Sequence, residues 1–471
     1  MTQSCDNYFT PNYKPPVAAD GWTYRLIAQD LARPRSLVID SRGALLVLEA
    51  GNGIKRITLE DNGGTCLAAR DETLLVRHSA LNHGIAISDD GTTLFASTSD
   101  EVFSWSYDAV DGIVSAANRT IVEGMHNSGH TTRSLLMSRK SPGMLVVSRG
   151  SDGNIDELCS DESSGHCQVR AFNVTDLVTG AGDGGGQDPL DFTTDGILLG
   201  WGLRNSVGIA EDPNEGGIWT VENSVDNLER DGVDIHRDNP AEELNFHGSL
   251  EDLVLGVNNG NGRGANYGYP DCLALGSTDD FPQLGDLNPG DHFHAAGFTT
   301  LNDSACEGRV SPRLTFQAHT APLDIKFAPD GSEAFIAFHG SWNRDDPVGY
   351  KVSSVAFDRR GSPEVSADSN AAMVDVLSNQ DLSDCPAGCF RPVGLAWDDQ
   401  RRLYVTSDST GEIFVLQRSS DSGSEASPSP TSTPDAAPAM GFPNMWVSLV
   451  ALAIPMVMPL AAGFRFLAIG A

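Results

Sequence analysis

The chain has 471 residues, of which 40% are hydrophobic and 20% are charged, so it is long enough and apolar enough to bury a large core. Its formal net charge of −33 disfavours nucleic acid and anionic membrane surfaces as partners, because both require cation-rich faces. An anionic ligand would need a local basic cluster that the overall charge hides.

Residues 1–19 form an extension before the first predicted blade. The amino terminus MTQSCDNYFT contains no apolar stretch of the kind that a secretory signal peptide needs. Because other features of the sequence indicate secretion, we expect that a signal peptide is missing from this sequence.

Six similar passages run through residues 20–418. Each combines an alternating apolar strand, a turn rich in Asp, Asn, Gly and basic residues, and a second apolar strand. The passages begin at Arg35, His83, Arg133, Asn205, Pro322 and Pro392. Six recurring sheets predict an all-β fold, a six-bladed β-propeller, in which each blade covers its faces against its neighbours.

The starts of these passages carry cations and hydrogen-bond donors. In a propeller the innermost strand of each blade runs along the central axis, so its first residue lies at one mouth of the channel. The residues at or beside these positions are Arg35, His83, His130, Arg133, Arg204, Asn205, His319 and Arg391. Burying such a ring costs free energy unless an anion fills it, so the ring predicts an anionic ligand.

The cysteines and glycosylation sequons indicate an oxidising, extracellular setting. The even number of cysteines favours disulfides, although a sequence does not fix their connectivity. The pairs that we expect are Cys159–Cys167, Cys385–Cys389, Cys272–Cys306 and Cys5–Cys66. The sequons, which matter only in a secretory lumen, begin at Asn118, Asn173 and Asn302.

The carboxyl-terminal residues have a different composition from the predicted propeller. Residues 419–444 form a disordered linker rich in Ser, Pro, Thr and Ala, and residues 445–471 form an apolar tail. A polar spacer before such a tail is typical of a GPI-attachment signal, with a small acceptor residue between Ser424 and Ala437. One transmembrane helix is the alternative. In either case the protein meets the membrane only through this anchor.

Eight short motifs follow one another along residues 20–418. They are LNHGIAIS, GHTTRSLLM, GWGLRNSVGIA, ENSVDNLERDGVDIHRDNPAEELNFHG, NYGYPDC, HTAPL, FHGSWNR and FRPVGL. In this order on six blades they resemble the fungal PQQ-dependent pyranose dehydrogenases, which are distantly similar to bacterial soluble glucose and sorbosone dehydrogenases. The resemblance implies that pyrroloquinoline quinone (PQQ), a planar tricarboxylate, is the anion over the channel, and that Ca²⁺ accompanies it.

The resemblance also implies roles for individual residues. His130 would be the general base that takes the proton of a sugar C1 hydroxyl while hydride passes to the quinone, and Arg204 would polarise the developing oxyanion. The implied cofactor contacts are Arg35, His83, Arg133, Arg204, Asn205, His319, His339, Asn343, Arg344 and Arg391.

A segment after the fourth passage corresponds to the calcium loop of the family. The implied metal ligands, which act largely through backbone carbonyls, are Ser224, Val225 and Asp226. Glu242 and Glu243 support this loop, bind a second ion or form a solvated strand edge. The stretch SDGNID, residues 151–156, lacks the full ligand set of a calcium loop, so we interpret it as a polar loop near the site.

The expected function is oxidation of aldopyranoses at C1 to the lactone by a secreted, monomeric enzyme. We expect Tyr267 and Tyr269 to lie near the sugar, and the electron acceptor to be a separate quinone or secreted redox protein. One alternative is a calcium-dependent propeller lactonase or esterase, which the arginine ring disfavours. The other is a GPI-anchored propeller that binds a protein or glycan, which leaves the buried cations without a purpose.

Overall fold

Six sheets around a central axis make up the fold, so the predicted six-bladed β-propeller is confirmed. The computed structural model describes Cys5 and residues 9–179, 188–255, 264–295, 302–369 and 372–419. The apolar tail and the predicted linker beyond residue 419 lie outside the described residues. No helix in the described part of the chain is both long and apolar enough to cross a membrane.

Blades 1 to 3 take up the first half of the chain, and their strands are given from the inner edge outward. Blade 1 comprises Pro34–Ile39, Leu45–Glu49, Gly53–Asp61 and Leu67–Arg77. Blade 2 comprises Ile85–Ile87, Thr93–Ser97, Val102–Asp108, Arg119–Glu123 and Leu190–Asp191, with Ile113–Val114 paired to its third strand. Blade 3 comprises Leu135–Met137, Met144–Arg149, Gln168–Asn173, Ile197–Trp201 and Ala265–Asn266.

Blades 4 to 6 follow in the same pattern, and two of them receive a strand from the amino terminus. Blade 4 comprises Ser206–Glu211, Gly217–Glu222, Glu242–Ser249 and Leu314–Phe316. Blade 5 comprises Pro322–Phe327, Glu333–Phe338, Lys351–Ala356, Met373–Ser378 and Val17–Ala18. Blade 6 comprises Pro392–Trp397, Leu403–Ser407, Glu412–Arg418 and Trp22–Ala28.

The ring closes through the amino-terminal strand of blade 6. Trp22–Ala28 pairs antiparallel with Glu412–Arg418, so that Trp22 lies opposite Arg418. The inner strands of neighbouring blades contact one another all the way round, including those of blades 1 and 6. A ring closed by the two ends of the chain leaves no exposed gap between the first and last blades.

Six of the eight apolar clusters among the described residues lie between the blades, one at each interface between adjacent blades. At the interface of blades 4 and 5, for example, Trp219 packs edge-on against Phe357, with ring centroids 5.1 Å apart. The turn between the first two strands of a blade uses a residue with positive φ, such as Gly91 (φ 71°) in blade 2 and Arg401 (φ 58°) in blade 6. Alternating strands and these turns together explain why the local sequence pattern predicts the blades.

Long connections cover the mouth at which the inner strands begin. They contain the hairpins Glu229–Arg230 with Val233–Asp234 and Cys272–Ala274 with His292–His294. The α-helices are Thr175–Thr179 and Leu250–Leu255, and the 3₁₀-helices are Glu157–Ser160, Glu162–Ser164 and Asp303–Cys306. All four predicted disulfides form: Cys5–Cys66, Cys159–Cys167, Cys272–Cys306 and Cys385–Cys389.

Candidate active site

Two kinds of chain segment supply the side chains at this mouth. The inner strands begin here, and the second strands end here, because the two run antiparallel within each blade. The residues just after the second strands of blades 4, 5 and 6 are therefore Asn223, His339 and Asp408. Starts and ends of strands from different blades meet in two ion-paired clusters.

The Asp408 cluster, formed by Arg35, His339, Arg391 and Asp408, joins blades 1, 5 and 6. Asp408 accepts hydrogen bonds from Arg35 Nη1 at 2.7 Å and from His339 Nε2 at 2.8 Å. Arg391 Nη2 donates to His339 Nδ1 at 2.9 Å, so the imidazole carries its one proton on Nε2 and is neutral. Burial accordingly lowers the pKa of His339. With two arginines against one carboxylate, the cluster keeps an excess positive charge.

The Asp226 cluster, formed by Asn154, Arg204, Asp226 and His319, lies at blades 3 to 5. Arg204 donates to the Asn223 carbonyl at 3.1 Å and to Asn154 Oδ1 at 2.8 Å, and its Nη2 is 3.3 Å from Asp226 Oδ2. His319 Nδ1 lies 3.4 Å from Asp226 Oδ1. Burial opposes a charge on His319, but the bonds to Asp226 and to a backbone carbonyl raise its pKa.

His130 lies beside the Asp226 cluster, just before the inner strand of blade 3. Its Nδ1 is 2.8 Å from Ser151 Oγ and 3.2 Å from the Ser151 carbonyl. The Ser151 hydroxyl donates to the Gly153 carbonyl at 2.7 Å, so both groups at Nδ1 are acceptors. The proton of the neutral ring is therefore on Nδ1, and Nε2 holds the lone pair. Burial and the nearby charge of Arg204 lower the pKa of His130 to about 4.

Several features at this mouth suit a flat, anionic ligand. Among the described residues, Asn343 Nδ2 and His83 Nδ1 are buried without a hydrogen-bond partner, which is costly unless a ligand supplies an acceptor. A Cβ on Gly150 would lie 2.7 Å from Asn205 Oδ1 and 2.9 Å from His130 Cβ, so glycine is required for these two site residues to pack as closely as they do. The residues present therefore fit a planar polycarboxylate such as PQQ.

The loop after the second strand of blade 4 offers two oxygen ligands for a cation. Asn223 and Asp226 already use their carbonyls, which accept from Arg204 and Asn154. The carbonyls of Ser224 and Val225 accept no hydrogen bond from the described residues. Backbone carbonyl oxygens are among the ligands that calcium accepts, together with other oxygens that complete its coordination. The Asp226 carboxylate is engaged with Arg204 and His319, so its assignment as a metal ligand stays a prediction.

Three buried glutamates stand behind this loop. Glu242 accepts from the backbone amides of Ser224 at 2.8 Å and Ala321 at 3.2 Å, so it joins two connections at the mouth. Asn245 Nδ2 bridges Glu222 at 3.1 Å and Glu243 at 3.0 Å. Burial raises the pKa of Glu242 and of Glu243 to about 7, and it raises the pKa of Glu222 well above its ordinary value. A solvated strand edge is therefore excluded, and a role in supporting the loop is favoured.

Three of the predicted site residues make their contacts outside the two clusters. Arg133 is fully buried and donates to the Met125 and His130 carbonyls, so it braces the loop before blade 3. Arg344 pairs with Asp238 at 3.1 Å and clamps two connections together. Tyr267 is 2% exposed in the core between blades 3 and 4, which makes it inaccessible to a sugar.

Tyr269 differs from Tyr267, because its hydroxyl reaches the turn at residues 151–156 beside the mouth. Its hydroxyl donates to the Asn154 carbonyl at 3.0 Å and accepts from the Asp156 amide at 2.8 Å. Burial raises its pKa to about 12. It therefore supports the 151–156 turn instead of standing open to a substrate.

Two features of the site are missing from the predictions made from the sequence. One is Asp408, and the other is the direct bonding of Asn154 to other site residues. SDGNID does lie near the site, as expected of a polar loop. The sequence did not predict, however, that its Asn154 bonds Arg204 and Asp226. A usable signal exists, since both residues follow second strands, which end where inner strands begin. A prediction based only on the starts of the inner strands therefore omits the residues that follow the second strands at this mouth.

The fold and this site define a class of protein: a six-bladed β-propeller whose mouth suits an anionic cofactor beside a neutral histidine. Residues 16–419 match the model of the TrAA12-like family, and the chain belongs to that family. The resemblance that the motifs indicate is thereby confirmed.

Relatives of the chain carry names that agree with this family. A pyrroloquinoline quinone-dependent sugar dehydrogenase of Hypocrea jecorina is 49% identical over 425 residues, which are 89% of this chain and 94% of the relative. The calcium structure of the Trichoderma reesei Carbohydrate-Active Enzymes Family AA12 protein has a TM-score of 0.83 at 50% identity and covers 88% of this chain and 100% of its own. The holo form of the pyranose dehydrogenase PQQ domain from Coprinopsis cinerea has a TM-score of 0.79 at 36% identity, with 88% and 99% covered.

Proposed function

We propose that this protein is a PQQ-dependent sugar dehydrogenase that oxidises the C1 hydroxyl of an aldopyranose to the lactone. The observation that carries the proposal is His130, whose Nδ1–H is fixed by Ser151 and whose Nε2 lone pair lies at a mouth rich in guanidinium groups. The names of the relatives support the redox chemistry. Oxidation at C1 and the lactone product are further parts of this proposal.

The residues that would hold PQQ lie in both clusters. Within the described residues, Arg35 and Arg391 use only some of their N–H groups, so the others could bond a ligand carboxylate, and arginine suits such bidentate contacts. Asn343 and His83 would gain the acceptors that their buried nitrogens lack. When bound, PQQ supplies a carbonyl carbon that accepts hydride and so takes two electrons from the sugar.

His130 and Arg204 would have separate roles in the reaction, proton transfer and charge stabilisation. The sugar loses hydride from C1 and a proton from the C1 hydroxyl, and His130 Nε2 accepts that proton as a C=O bond forms at C1. Because its pKa is lowered to about 4, His130 is neutral and ready to accept a proton at ordinary pH. Arg204 is held in a fixed orientation by four acceptor groups, so its charge can stabilise negative charge that develops beside it.

We further propose Ca²⁺ as the second cofactor, held by the carbonyls of Ser224 and Val225. Hard oxygen ligands in a loop suit this ion, which tolerates mixed coordination. The ion would add positive charge where a −33 protein must hold an anion. Glu242, which fixes the Ser224 amide, would keep these carbonyls in place.

Reconstitution of chelator-treated protein tests both cofactors together. Protein without PQQ should reduce no dye when an aldopyranose is added, PQQ alone should restore little activity, and PQQ with Ca²⁺ should restore it. Identification of the product by mass spectrometry checks the lactone. Full activity with PQQ in excess chelator would refute the calcium site. A folded protein that is inactive under every condition would favour a binding role, and hydrolysis of lactones without PQQ would favour the esterase alternative.

The setting of the enzyme is also a proposal. We propose a monomer that is extracellular, glycosylated, and anchored by a GPI group, with a separate quinone or redox protein as electron acceptor. Four formed disulfides support an oxidising compartment. Release of the protein from cells by phosphatidylinositol-specific phospholipase C tests the anchor, and release only by detergent would contradict it.

A further inference from the structure

The turn formed by residues 151–156 lies between His130 and Arg204 and bonds to the backbone of both. The Ser151 carbonyl accepts from the His130 amide at 2.9 Å, and the Ser151 amide donates to the Arg204 carbonyl at 2.8 Å. The Asp152 carboxylate accepts from the Gly129 amide at 2.7 Å, next to His130. The turn is thus tied to the base on one side and to the start of blade 4 on the other.

Asn154, at the tip of this turn, makes five hydrogen bonds across the mouth. Its Oδ1 accepts from Arg204 Nη2 at 2.8 Å and from the Asp226 amide at 2.9 Å. Its Nδ2 donates to the Asp226 carbonyl at 2.7 Å. Its own carbonyl accepts from Arg204 Nε at 3.1 Å and from the Tyr269 hydroxyl at 3.0 Å. One residue therefore fixes the guanidinium of Arg204 and both polar groups of the Asp226 backbone.

Only an amide side chain meets this whole set of contacts. It offers an acceptor to Arg204 and to the Asp226 amide, and at the same time a donor to the Asp226 carbonyl. A carboxylate keeps the acceptor but places a second acceptor against that carbonyl. An alanine loses all three side-chain bonds and leaves only the backbone contacts.

We infer that Asn154 is a positioning residue, which sets the orientation of Arg204 and the position of the 224–226 loop relative to His130. The inference rests on the proposed function, since Arg204 and this loop matter as the partners of PQQ, Ca²⁺ and the sugar. Asn154 acts on the reaction through these groups.

The test compares Asn154→Ala and Asn154→Asp with wild type in two assays. In the first, the melting temperature of the apoprotein is measured with and without PQQ plus CaCl₂, which needs no turnover. At a fixed ligand concentration, a ligand that binds the folded state more weakly raises the melting temperature less, so N154A should show a smaller rise than wild type. In the second, N154A should lower kcat for an aldopyranose by about 10- to 100-fold, the usual cost of lost hydrogen bonds to a charged group.

N154D separates positioning from a general structural role. It retains acceptors for Arg204 and the Asp226 amide, so its kcat should lie between those of N154A and wild type. It loses the donor to the Asp226 carbonyl, so its ligand-induced rise in melting temperature should remain small. Asp and Asn serve a turn equally well, so a turn-forming role alone would leave N154D like wild type in both assays.

Asn214→Ala provides the matched control. Asn214 is also exposed and its Nδ2 donates to a backbone carbonyl of the neighbouring blade, that of Asp330, but it lies at the opposite end of the propeller. N214A should behave as wild type in both assays. Equal effects of N154A and N214A, or wild-type behaviour of N154A, would overturn the inference. If wild type gains melting temperature from PQQ and CaCl₂ but oxidises no sugar, the proposed function fails while the melting comparison still decides the role of Asn154.

Discussion

The Asp408 cluster and the Asp226 cluster hold their arginines in different ways. In the Asp408 cluster, Arg35 bonds the Asp408 side chain, and Arg391 bonds the His339 side chain and the backbone carbonyls of His339 and Gly340. In the Asp226 cluster, four acceptors surround the single guanidinium of Arg204, namely the carbonyls of Asn154 and Asn223 and the side chains of Asn154 and Asp226. Arg35 therefore keeps N–H groups that an incoming carboxylate could bond, whereas the four acceptors around Arg204 hold its guanidinium in one orientation.

This difference indicates that the two clusters have different functions at the same mouth. The Asp408 cluster carries excess positive charge on rigid strand ends, so it suits binding of an anion. The Asp226 cluster lies beside His130 and on the proposed calcium loop, so it suits control of the reacting groups. Variants in the first should then change cofactor affinity, and variants near the second should change turnover.

The largest expected effect is at His130. Replacing it with Ala removes the proposed base but none of the arginines, so turnover should fall by about 100-fold or more while PQQ affinity stays close to that of wild type. Steady-state kinetics with saturating PQQ and a fluorescence titration of PQQ measure the two quantities. Near-normal turnover in a variant with bound cofactor would show that His130 is not the base.

The next effect is at Arg391, in the other cluster. Arg391→Ala should weaken PQQ binding by about 2–5 kcal/mol, because a ligand carboxylate loses a desolvated partner. Turnover at saturating PQQ should change much less than affinity. Arg401, which pairs with Asp330 at 2.6 Å at the opposite end of the propeller, is the control, and R401A should bind PQQ normally. Unchanged affinity in R391A would mean that this cluster is structural.

The sequence predicts the blades well because their signal is local. Alternating apolar residues and a turn with positive φ, such as that at Gly91, recur in each passage and need no distant partner. The starts of inner strands are equally local, so His130 and Arg204 could be placed at the mouth. Both lie where the strand pattern puts them, although their chemical roles stay predictions.

The contacts between connections could not be predicted in the same way. Asp408 meets Arg35 across 373 residues of sequence, and Asn154 meets Asp226 across 72. Tyr267 and Tyr269 illustrate the problem at short range. Residues two apart in a strand share a face, but Gly268 has a φ of 114° and turns the chain, so one hydroxyl enters the core and the other reaches Asn154.

The smallest expected effect is a shift in the pH dependence of the rate. It tests directly whether the two clusters act differently on His130. The proposed base must be neutral to accept a proton, and the pKa of His130 is about 4 instead of the ordinary 6.5. As pH falls, kcat/KM should therefore stay constant to about pH 5 and then decline through about pH 4 as His130 becomes protonated.

After burial, the charge of Arg204 is the largest cause of the low pKa of His130. Arg204→Gln should consequently move this decline to higher pH, in addition to slowing turnover. Arg391→Gln, which removes an equal charge from the Asp408 cluster, should leave it in place. Rate profiles of the three proteins, each saturated with PQQ and Ca²⁺, make the comparison. A decline near pH 6.5 in wild type, or equal shifts in both variants, would show that the two clusters do not act separately on the base.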